Sequence, residues 1–218
     1  MKVVALIPIK LGSERVPGKN IKPFFDGTPL MHLIQRVCLS AMSIDETYVY
    51  CSDDYIKEYL LDGIKFLKRP EYLNGNTYGS NHIIREFIAS VDADIYLETH
   101  ATAPFALPES FDICISKVAS GGYDSAFCAE PLRNFLWQEG RPINFDINNF
   151  PRTQDLPLIY QEAPGAYVFT KETFQMYGRR VGVNPYIHEI RRIEATDIDY
   201  PEDFEIANII YKELILKK

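Results

Sequence analysis

Short apolar runs alternate with segments of helical periodicity along most of the chain. Apolar runs of about four to eight residues are typical of buried strands, whereas apolar positions that recur about every three or four residues are typical of amphipathic helices. The predicted strands are residues 3–9, 47–51, 64–67, 94–98 and 124–129. Strands that alternate with helices predict βαβ units, and therefore an α/β fold with a mostly parallel sheet and helices on both faces.

The clearest helical pattern covers residues 29–42, whose apolar side chains share one face. Thr28 is predicted to cap this helix, and Pro29 suits its first position. Further helices are predicted at residues 54–61, 79–91 and 108–119. A last helix is predicted to begin at Pro201 and to end at Lys217 and Lys218, because acidic residues in its first turn and lysines in its last turn complement the helix dipole. Its inward-facing residues are predicted to be Phe204, Ala207, Ile210 and Leu214.

The alternation breaks down between residues 131 and 164, a stretch rich in proline, asparagine and aromatic residues. It is too long for an ordinary connection between a strand and a helix. It is therefore either an arm with a functional role or an irregular surface loop. We favour the arm, because its large apolar side chains need burial that a partner subunit would supply. These side chains are Phe135, Leu136, Trp137, Phe145, Phe150, Leu158, Ile159 and Tyr160. We therefore expect a single domain over residues 1–218 with an arm inserted at 131–164, and a homodimer.

The composition and charge of the chain exclude some classes of function. The chain has 218 residues, 46% of them apolar, and a formal charge of −7, which predicts a globular protein without the broad basic surface that binds nucleic acid or anionic membranes. No apolar run approaches the roughly 20 residues needed to span a bilayer, and we recognise no targeting segment. The cysteines lack metal-ligand spacing, so we expect reduced structural thiols and a cytoplasmic location. They are Cys38, Cys51, Cys114 and Cys128.

The segment IPIKLGSERVPGKN at residues 7–20 follows the first predicted strand. Loops at that edge of an α/β sheet bind ligands. Gly12 and Gly18 allow close approach of the backbone and an anion-binding nest of amides, and Lys10, Arg15 and Lys19 add positive charge. The segment matches neither the Walker A nor the GxGxxG pattern. A phosphate-binding loop and a solvated basic loop are about equally compatible with these residues.

A carboxylate pair occurs in TDIDYPEDF at residues 196–204. Asp197 and Asp199 alternate along an extended segment and would project to the same side, where they could bind Mg²⁺ bridged to phosphate oxygens. Asp199 could equally be a helix cap. The cationic loop and the carboxylate pair together are more informative, because catalysis on a nucleoside triphosphate requires both.

Two further segments follow predicted strands. In KRPEYLNGNTYGSNH at residues 68–82, Arg69 lies just past a strand, and Ser80 and Asn81 open a predicted helix whose amides could face an anion or a base edge. In HATAPF at residues 100–105, His100 could contact a ligand or satisfy a turn. A turn with a helix cap remains an alternative for the first segment.

These residues carry a resemblance to the acylneuraminate cytidylyltransferases, which activate sialic-type sugars as CMP conjugates. IPIKLGSERVPGKN resembles the amino-terminal signature of that family, commonly IPARxGSKxxPxKN. The likeness continues in order through CSDDYI, LKRPEYLNGNTYGSNHII, YDSAFCAEPLRNFLW, NFPRTQDLP and DIDYPEDFEIA. It covers nearly the whole chain.

The resemblance implies a Rossmann-like nucleotidyltransferase, usually dimeric, that uses CTP and Mg²⁺ to convert a 2-keto-3-deoxy sugar acid into a CMP-sugar and pyrophosphate. It places Lys10, Gly12, Ser13, Arg15, Lys19 and Asn20 in the CTP loop, with Lys19 on the departing pyrophosphate and Arg15 as a clamp. It places Arg69 and Ser80 around the nucleotide and Asp197 and Asp199 on the metal. Arg152 and Gln154 belong to the substrate-side arm, residues 160–166 with Tyr160 lie near the sugar pocket, and His100 contacts the substrate.

Two positions depart from the family pattern. Lys10 replaces the usual arginine, which keeps the charge but loses bidentate phosphate geometry. His100 replaces the common glutamine of a QPTSP-like segment, so the substrate pocket is expected to differ. Two alternatives remain open: a glycosyltransferase, because DID imitates a DxD metal motif, and a catalytically silent nucleotide-binding protein of the same fold.

Overall fold

The computed structural model describes residues 1–75 and 77–215. Its centre is a seven-stranded sheet, and a two-stranded ribbon lies apart from it. The strands are β1 (Val3–Ile9), β2 (Glu46–Cys51), β3 (Ile64–Lys68), β4 (Ile95–Glu98), β5 (Ser125–Leu132), β6 (Trp137–Gln138), β7 (Arg141–Pro142), β8 (Ile159–Thr170) and β9 (Pro185–Glu189). The helices are α1 (Leu30–Ser40), α2 (Ser80–Ser90), α3 (Pro108–Ala119), α4 (Lys171–Tyr177) and α5 (Pro201–Ile210). All five predicted strands are confirmed.

The sheet has the order β3-β2-β1-β4-β8-β5-β9 and is mostly parallel, as predicted. The exception is β8, which pairs antiparallel with both β4 and β5. Because β8 runs against its neighbours, it begins at the edge where β1, β4 and β5 end. The segment between β5 and β8 therefore emerges at the same edge as the loops that follow β1 and β4.

Alternate residues of β1 face opposite sides of the sheet, and both sides are covered. Ala5 and Ile7 pack with residues of α1 and α3, whereas Val4 and Leu6 pack with residues of α2 and α4. A third cluster joins Phe204 of α5 to Leu30 at the start of α1. Helices on both faces of the sheet are thus confirmed, and α5 is held near the amino-terminal loop.

Several helix boundaries differ from the prediction. The first helix begins at Leu30, with Pro29 as its cap, because the Thr28 hydroxyl donates instead to Asp26 within a turn. Residues 54–59 form a 3₁₀ helix rather than an α-helix.

The last helix begins at Pro201 as predicted, but Tyr200, not Asp199, is its cap. It changes to a π-helix over Tyr211–Ile215. Phe204 and Ala207 are buried, whereas Leu214 is exposed, so its predicted inward position is wrong. Lys217 and Lys218 lie outside the described residues.

The segment predicted as an arm is shorter than expected, because β5 extends to Leu132 and β8 begins at Ile159. Residues 133–158 contain the β6–β7 ribbon and a 3₁₀ turn at Thr153–Asp155. Phe135, Phe145 and Phe150 pack against one another, with ring centroids 4.9 to 5.4 Å apart. This arm forms a small aromatic cluster of its own, yet Phe150 remains 59% exposed.

All four cysteines are buried free thiols, in agreement with the expectation of structural cysteines. Among the residues that the structure describes, no helix combines the length and apolar character required to cross a membrane.

Candidate active site

The loop after β1 and the DID segment before α5 meet at the carboxyl edge of the sheet. The Lys19 ammonium donates to the Ile198 carbonyl at 2.6 Å and lies 3.7 Å from the Asp199 carboxylate. Arg15 donates to the same carboxylate at 2.7 Å. Residues about 180 positions apart in sequence thus form one cluster of cations and carboxylates.

The cluster is held in place by local structure on both sides. Gly18 has φ 64°, a left-handed conformation that favours glycine, and it leads into the 3₁₀ turn that carries Lys19. Lys19 is buried, and its desolvation lowers its pKa although the nearby Asp199 and Asp197 charges oppose that shift. On the other side, the Asp203 carboxylate of α5 accepts hydrogen bonds from the backbone N–H groups of Asp199 and Tyr200.

Asp197 lies against the loop that follows β4. The backbone N–H of Ile198 donates to the Thr102 carbonyl at 3.0 Å, and the Thr102 side chain is hydrogen-bonded to Asp197. Asp197 is exposed, but the protein around its carboxyl group still raises its pKa, mainly by desolvation and in part through the Asp199 charge. Because its surroundings and the Asp199 charge disfavour its ionised form, a bound cation would stabilise this carboxylate.

Asp197 and Asp199 are the two carboxylates beside the loop that could hold a magnesium ion. Within residues 1–75 and 77–215 there is no group of three or more His, Cys, Asp or Glu side chains that could enclose a metal. Mg²⁺ is usually held by one or two carboxylates, with waters and substrate phosphates as the other ligands. The donor set is therefore suited to a metal that arrives with a triphosphate.

Other residues of the loop form hydrogen bonds within the loop itself. Asn20 donates from its side-chain amide to the Lys10 carbonyl at 2.9 Å, which fixes the start of the loop. The backbone N–H groups of Ser13 and Lys19 are already used within the loop, because they donate to the carbonyls of Leu11 and Val16. Cationic side chains, rather than these amides, are thus the loop's available anion-binding groups.

A cleft of about 410 Å³ adjoins this loop. Pro8 and Lys10 line one side, and Arg69, Ser80 and His100 are among the residues that line the rest. Four residues predicted to bind the nucleotide or substrate, namely Lys10, Arg69, Ser80 and His100, therefore line one cavity.

Arg69 and His100 are the more enclosed of these groups. Arg69 is 2% exposed; one of its terminal nitrogens donates to the Asn74 side-chain oxygen, and its Nε is buried without a partner. The ring of His100 lies 3.9 Å from the Glu98 carboxylate. Burial lowers the pKa of His100 despite that carboxylate.

The sequence did not reveal the buried carboxylate at the floor of this cleft. Glu98 is fully buried at the end of β4, accepts a hydrogen bond from the Ser80 hydroxyl and pairs with Arg180 at 2.5 Å. Burial opposes its ionisation, but His100, Arg180 and the hydrogen bonds outweigh that penalty and lower its pKa. The sequence offered one signal for Glu98, because a charged residue ends a predicted strand just before HATAPF. It offered no signal for Arg180.

The predicted arm residues are not part of this cluster. Arg152 pairs with Asp155 inside the arm, and Gln154 contributes its carbonyl to a hydrogen bond from Arg133. Tyr160 donates to Glu189 on β9 at 2.6 Å. The contacts that the structure shows for these three residues lie within the arm and its flanking strands.

The carboxyl-terminal end of the predicted substrate segment, residues 160–166, lies next to residues at the cleft. The Pro164 carbonyl accepts from the backbone N–H of His100, and the Gly165 carbonyl accepts from the Thr99 hydroxyl at 2.5 Å. This part of β8 is irregular, because its pairing with β5 shifts register there. The irregularity places backbone groups of residues 163–166 beside His100.

Comparison with known proteins shows the family of the chain. A family model described as Cytidylyltransferase matches residues 4–217. The chain belongs to this family. It is 26% identical over 215 residues to the N-acylneuraminate cytidylyltransferase of Oncorhynchus mykiss, an alignment that includes 94% of this chain and 49% of that protein. It is also 25% identical to the pseudaminic acid cytidylyltransferase of Campylobacter jejuni, with 97% of both chains covered.

The chain thus spans about half the length of the fish relative and nearly all of the bacterial one. Among solved structures, it resembles a CMP:2-keto-3-deoxy-manno-octonic acid synthetase complexed with CTP, with a TM-score of 0.75 and 16% identity over 98% of this chain and 99% of the other. That similarity confirms the Rossmann-like nucleotidyltransferase fold.

Proposed function

We propose that the protein is a cytidylyltransferase that joins CMP from CTP to a 2-keto-3-deoxy sugar acid of sialic type and releases pyrophosphate. The observation that carries the proposal is the meeting of Lys19 and Arg15 with the Asp199 carboxylate of DID at the edge of the sheet. Transfer of a nucleotidyl group needs positive charge on the departing phosphates and a metal-binding carboxylate close to it.

In this proposal the cationic loop holds the triphosphate. Lys10, Arg15 and Lys19 contact its oxygens, and Gly12, Ser13 and Asn20 shape the loop around them. Arg15 is salt-bridged to Asp199 and exchanges this partner for phosphate when CTP binds. Lys19, held at its buried position by the Ile198 carbonyl, neutralises the charge that develops on pyrophosphate.

The reaction is an in-line attack of the sugar's anomeric hydroxyl on the α-phosphorus of CTP. The P–O bond to pyrophosphate breaks as the new P–O bond forms, and the hydroxyl proton leaves to solvent or to a nearby carboxylate. Mg²⁺ held by Asp197 and Asp199 would neutralise phosphate charge and increase the acidity of the hydroxyl. Arg69 and Ser80 contact the nucleotide, and His100 faces the sugar acid.

We further propose a homodimer in which the arm of one subunit reaches the other subunit's site. Trp137, Ile143, Ile147 and Phe150 of the arm are each at least half exposed, and a second copy would cover them. Arg152, Gln154 and Tyr160 would then contact the sugar acid in the partner's cleft. The buried free thiols favour a cytoplasmic location, where cysteines stay reduced.

The test is pyrophosphate release with Mg²⁺, each of the four nucleoside triphosphates, and a panel of 2-keto-3-deoxy sugar acids, with hexose phosphates as controls. We expect release with CTP and at least one acid, and loss of release when Mg²⁺ is chelated. Turnover of a hexose phosphate instead of every acid would contradict the proposal. CTP binding without turnover of any acceptor would favour the catalytically silent alternative.

A further inference from the structure

The Glu98–Arg180 pair beneath the cleft is more than an isolated buried ion pair, because it also controls the Ser80 hydroxyl. We propose that Glu98 and Arg180 orient this hydroxyl so that it accepts a hydrogen bond from the base, and thereby favour cytosine over uracil nucleotides. The inference rests on the proposed function and adds two positioning residues to it.

The direction of the Ser80 hydroxyl follows from its partners. An ionised carboxylate only accepts hydrogen bonds, so the contact with Glu98 must use the Ser80 proton. Arg180 only donates, and its NH1 group lies 3.2 Å from Ser80 Oγ. With its proton and one lone pair engaged, the hydroxyl has one lone pair left for a ligand.

Arg180 itself is held firmly. Its guanidinium lies over the ring of Tyr167, 3.3 Å from the centroid, and the same NH1 group donates to Glu98 at 2.5 Å. Tyr167 is paired with Glu98 in the register of β4 and β8. These contacts hold the arginine beside Ser80, so that the hydroxyl keeps its accepting orientation.

A second residue of the cleft lining can only donate hydrogen bonds. Arg69 is buried, and a guanidinium has no acceptor. One of its terminal nitrogens donates to the Asn74 side-chain oxygen. Besides other polar residues such as Lys10 and His100, the cleft thus has a donor residue at Arg69 and an acceptor at Ser80.

This pair of groups distinguishes the two pyrimidines. Cytosine carries an exocyclic amine that donates and O2 and N3 atoms that accept, so it can satisfy both Ser80 and Arg69. Uracil has a carbonyl in place of the amine, and that carbonyl would face a lone pair on Ser80 Oγ. Sites built to hydrogen-bond one group reject an analogue that lacks it, because a buried polar group is then left unpaired.

The experiment measures dissociation constants for CTP and UTP by calorimetry with Mg²⁺ present and without sugar acid. In Glu98→Gln, Arg180 must still meet the remaining side-chain oxygen, so the new amide nitrogen faces Ser80 and donates to it. The Ser80 proton is then released towards the cleft. We expect the preference for CTP over UTP to fall by about tenfold or more, with weaker CTP binding and tighter UTP binding.

Glu46→Gln is the matched control. It also removes a carboxylate from salt bridges, in this case with Lys2 and Lys65, but at the opposite edge of the sheet. Its CTP/UTP ratio is expected to equal that of the wild type. Ser80→Ala, at the first residue of α2, provides a second test that leaves the ion pair intact, and it should also lower the ratio.

An equal loss of affinity for both nucleotides in Glu98→Gln would indicate a purely structural ion pair and overturn the inference. If that variant does not fold, an unchanged ratio in Ser80→Ala overturns it. A wild-type protein that binds neither nucleotide would refute the proposed function and this inference together. A wild type that prefers CTP, with a ratio insensitive to Ser80→Ala, would refute the inference alone.

Discussion

At the scale of single residues, the candidate site depends on a lysine that is both buried and charged. Lys19 is 8% exposed and donates to the Ile198 carbonyl, so its ammonium has a fixed position. Burial lowers its pKa, which shows that the protein opposes the charge. A fixed cation whose charge is disfavoured by burial is well placed to stabilise an anion that forms only during the reaction.

Lys19→Met should therefore reduce turnover much more than stability. We expect pyrophosphate release to fall by about 100-fold or more, because one preorganised charge is removed from the transition state. The free energy of unfolding should change by only about 1 kcal/mol, since the lost hydrogen bond is offset by relief of a buried charge. Steady-state kinetics and chemical denaturation provide the two measurements.

Lys22→Met is the control for this change. Lys22 lies three positions further along and contacts the ring of Phe204 at 4.1 Å, away from the carboxylates. Near-normal turnover in Lys19→Met, or an equal loss in the control, would refute the role of Lys19.

How much of the site the sequence predicted depends on whether its residues belong to a motif. The loop residues and the DID pair were predicted to lie together, and Lys19 does contact Asp199. The Glu98–Arg180 pair was not predicted, because the two residues are 82 positions apart and side-chain pairing across a fold leaves no local pattern. The anion-binding nest of amides expected in the loop stays a prediction, to which Ser13 and Lys19 do not contribute because their N–H groups donate to loop carbonyls.

At the scale of secondary-structure elements, α5 also holds the segment that we propose binds the metal. Its Asp203 carboxylate accepts from the backbone N–H groups of Asp199 and Tyr200 at 2.9 and 2.7 Å. The same helix is anchored to the body of the protein through Phe204, which stacks on Phe24 with centroids 5.1 Å apart. The position of Asp199 is thus coupled to the start of a helix.

Asp203→Ala should impair magnesium use without removing a proposed ligand. We expect the Mg²⁺ concentration for half-maximal turnover to rise several-fold, because Asp199 loses the hydrogen bond that fixes its backbone. Stability should fall by about 1 kcal/mol, as for the loss of a helix cap. The measurements are a magnesium titration of pyrophosphate release and a denaturation curve.

Glu202→Ala is a close control, because it removes the same charge from the same turn of α5 at an exposed position. Its magnesium dependence should match that of the wild type. If both variants shift equally, the effect is one of net charge and the positioning role is wrong.

The strands and helices that were not predicted from the sequence are those that depart from the simple alternation of strands and helices. The antiparallel strand β8 begins within the stretch that was assigned to the arm. Its start was not predicted, because its first residues are mostly exposed and show no strand alternation. α4 follows β8 directly and β9 follows α4 after a loop, and both elements are too short to show a long apolar face in the sequence. The predicted parallel strands were found because two-sided burial makes them continuous apolar runs.

At the scale of the whole molecule, the arm keeps several large apolar side chains exposed in the single chain. Its aromatic rings pack on one another, yet Trp137 and Phe150 are 50% and 59% exposed. The arm leaves the sheet at the same edge as the candidate site, since it connects the end of β5 to the start of β8. Covering it with a second copy would bury these rings and bring Arg152 and Gln154 to another subunit.

Phe150→Asp should therefore convert a dimer into a monomer and lower activity together. A charge buried at the proposed interface without a partner is costly, so sedimentation at micromolar concentration should show the mass of one chain. Met176→Asp makes the same change at a 72% exposed residue of α4, at the opposite edge of the sheet, and should stay dimeric and active. A wild-type protein that is already monomeric, or a monomeric Phe150→Asp variant with full turnover, would refute an arm that completes the neighbouring site.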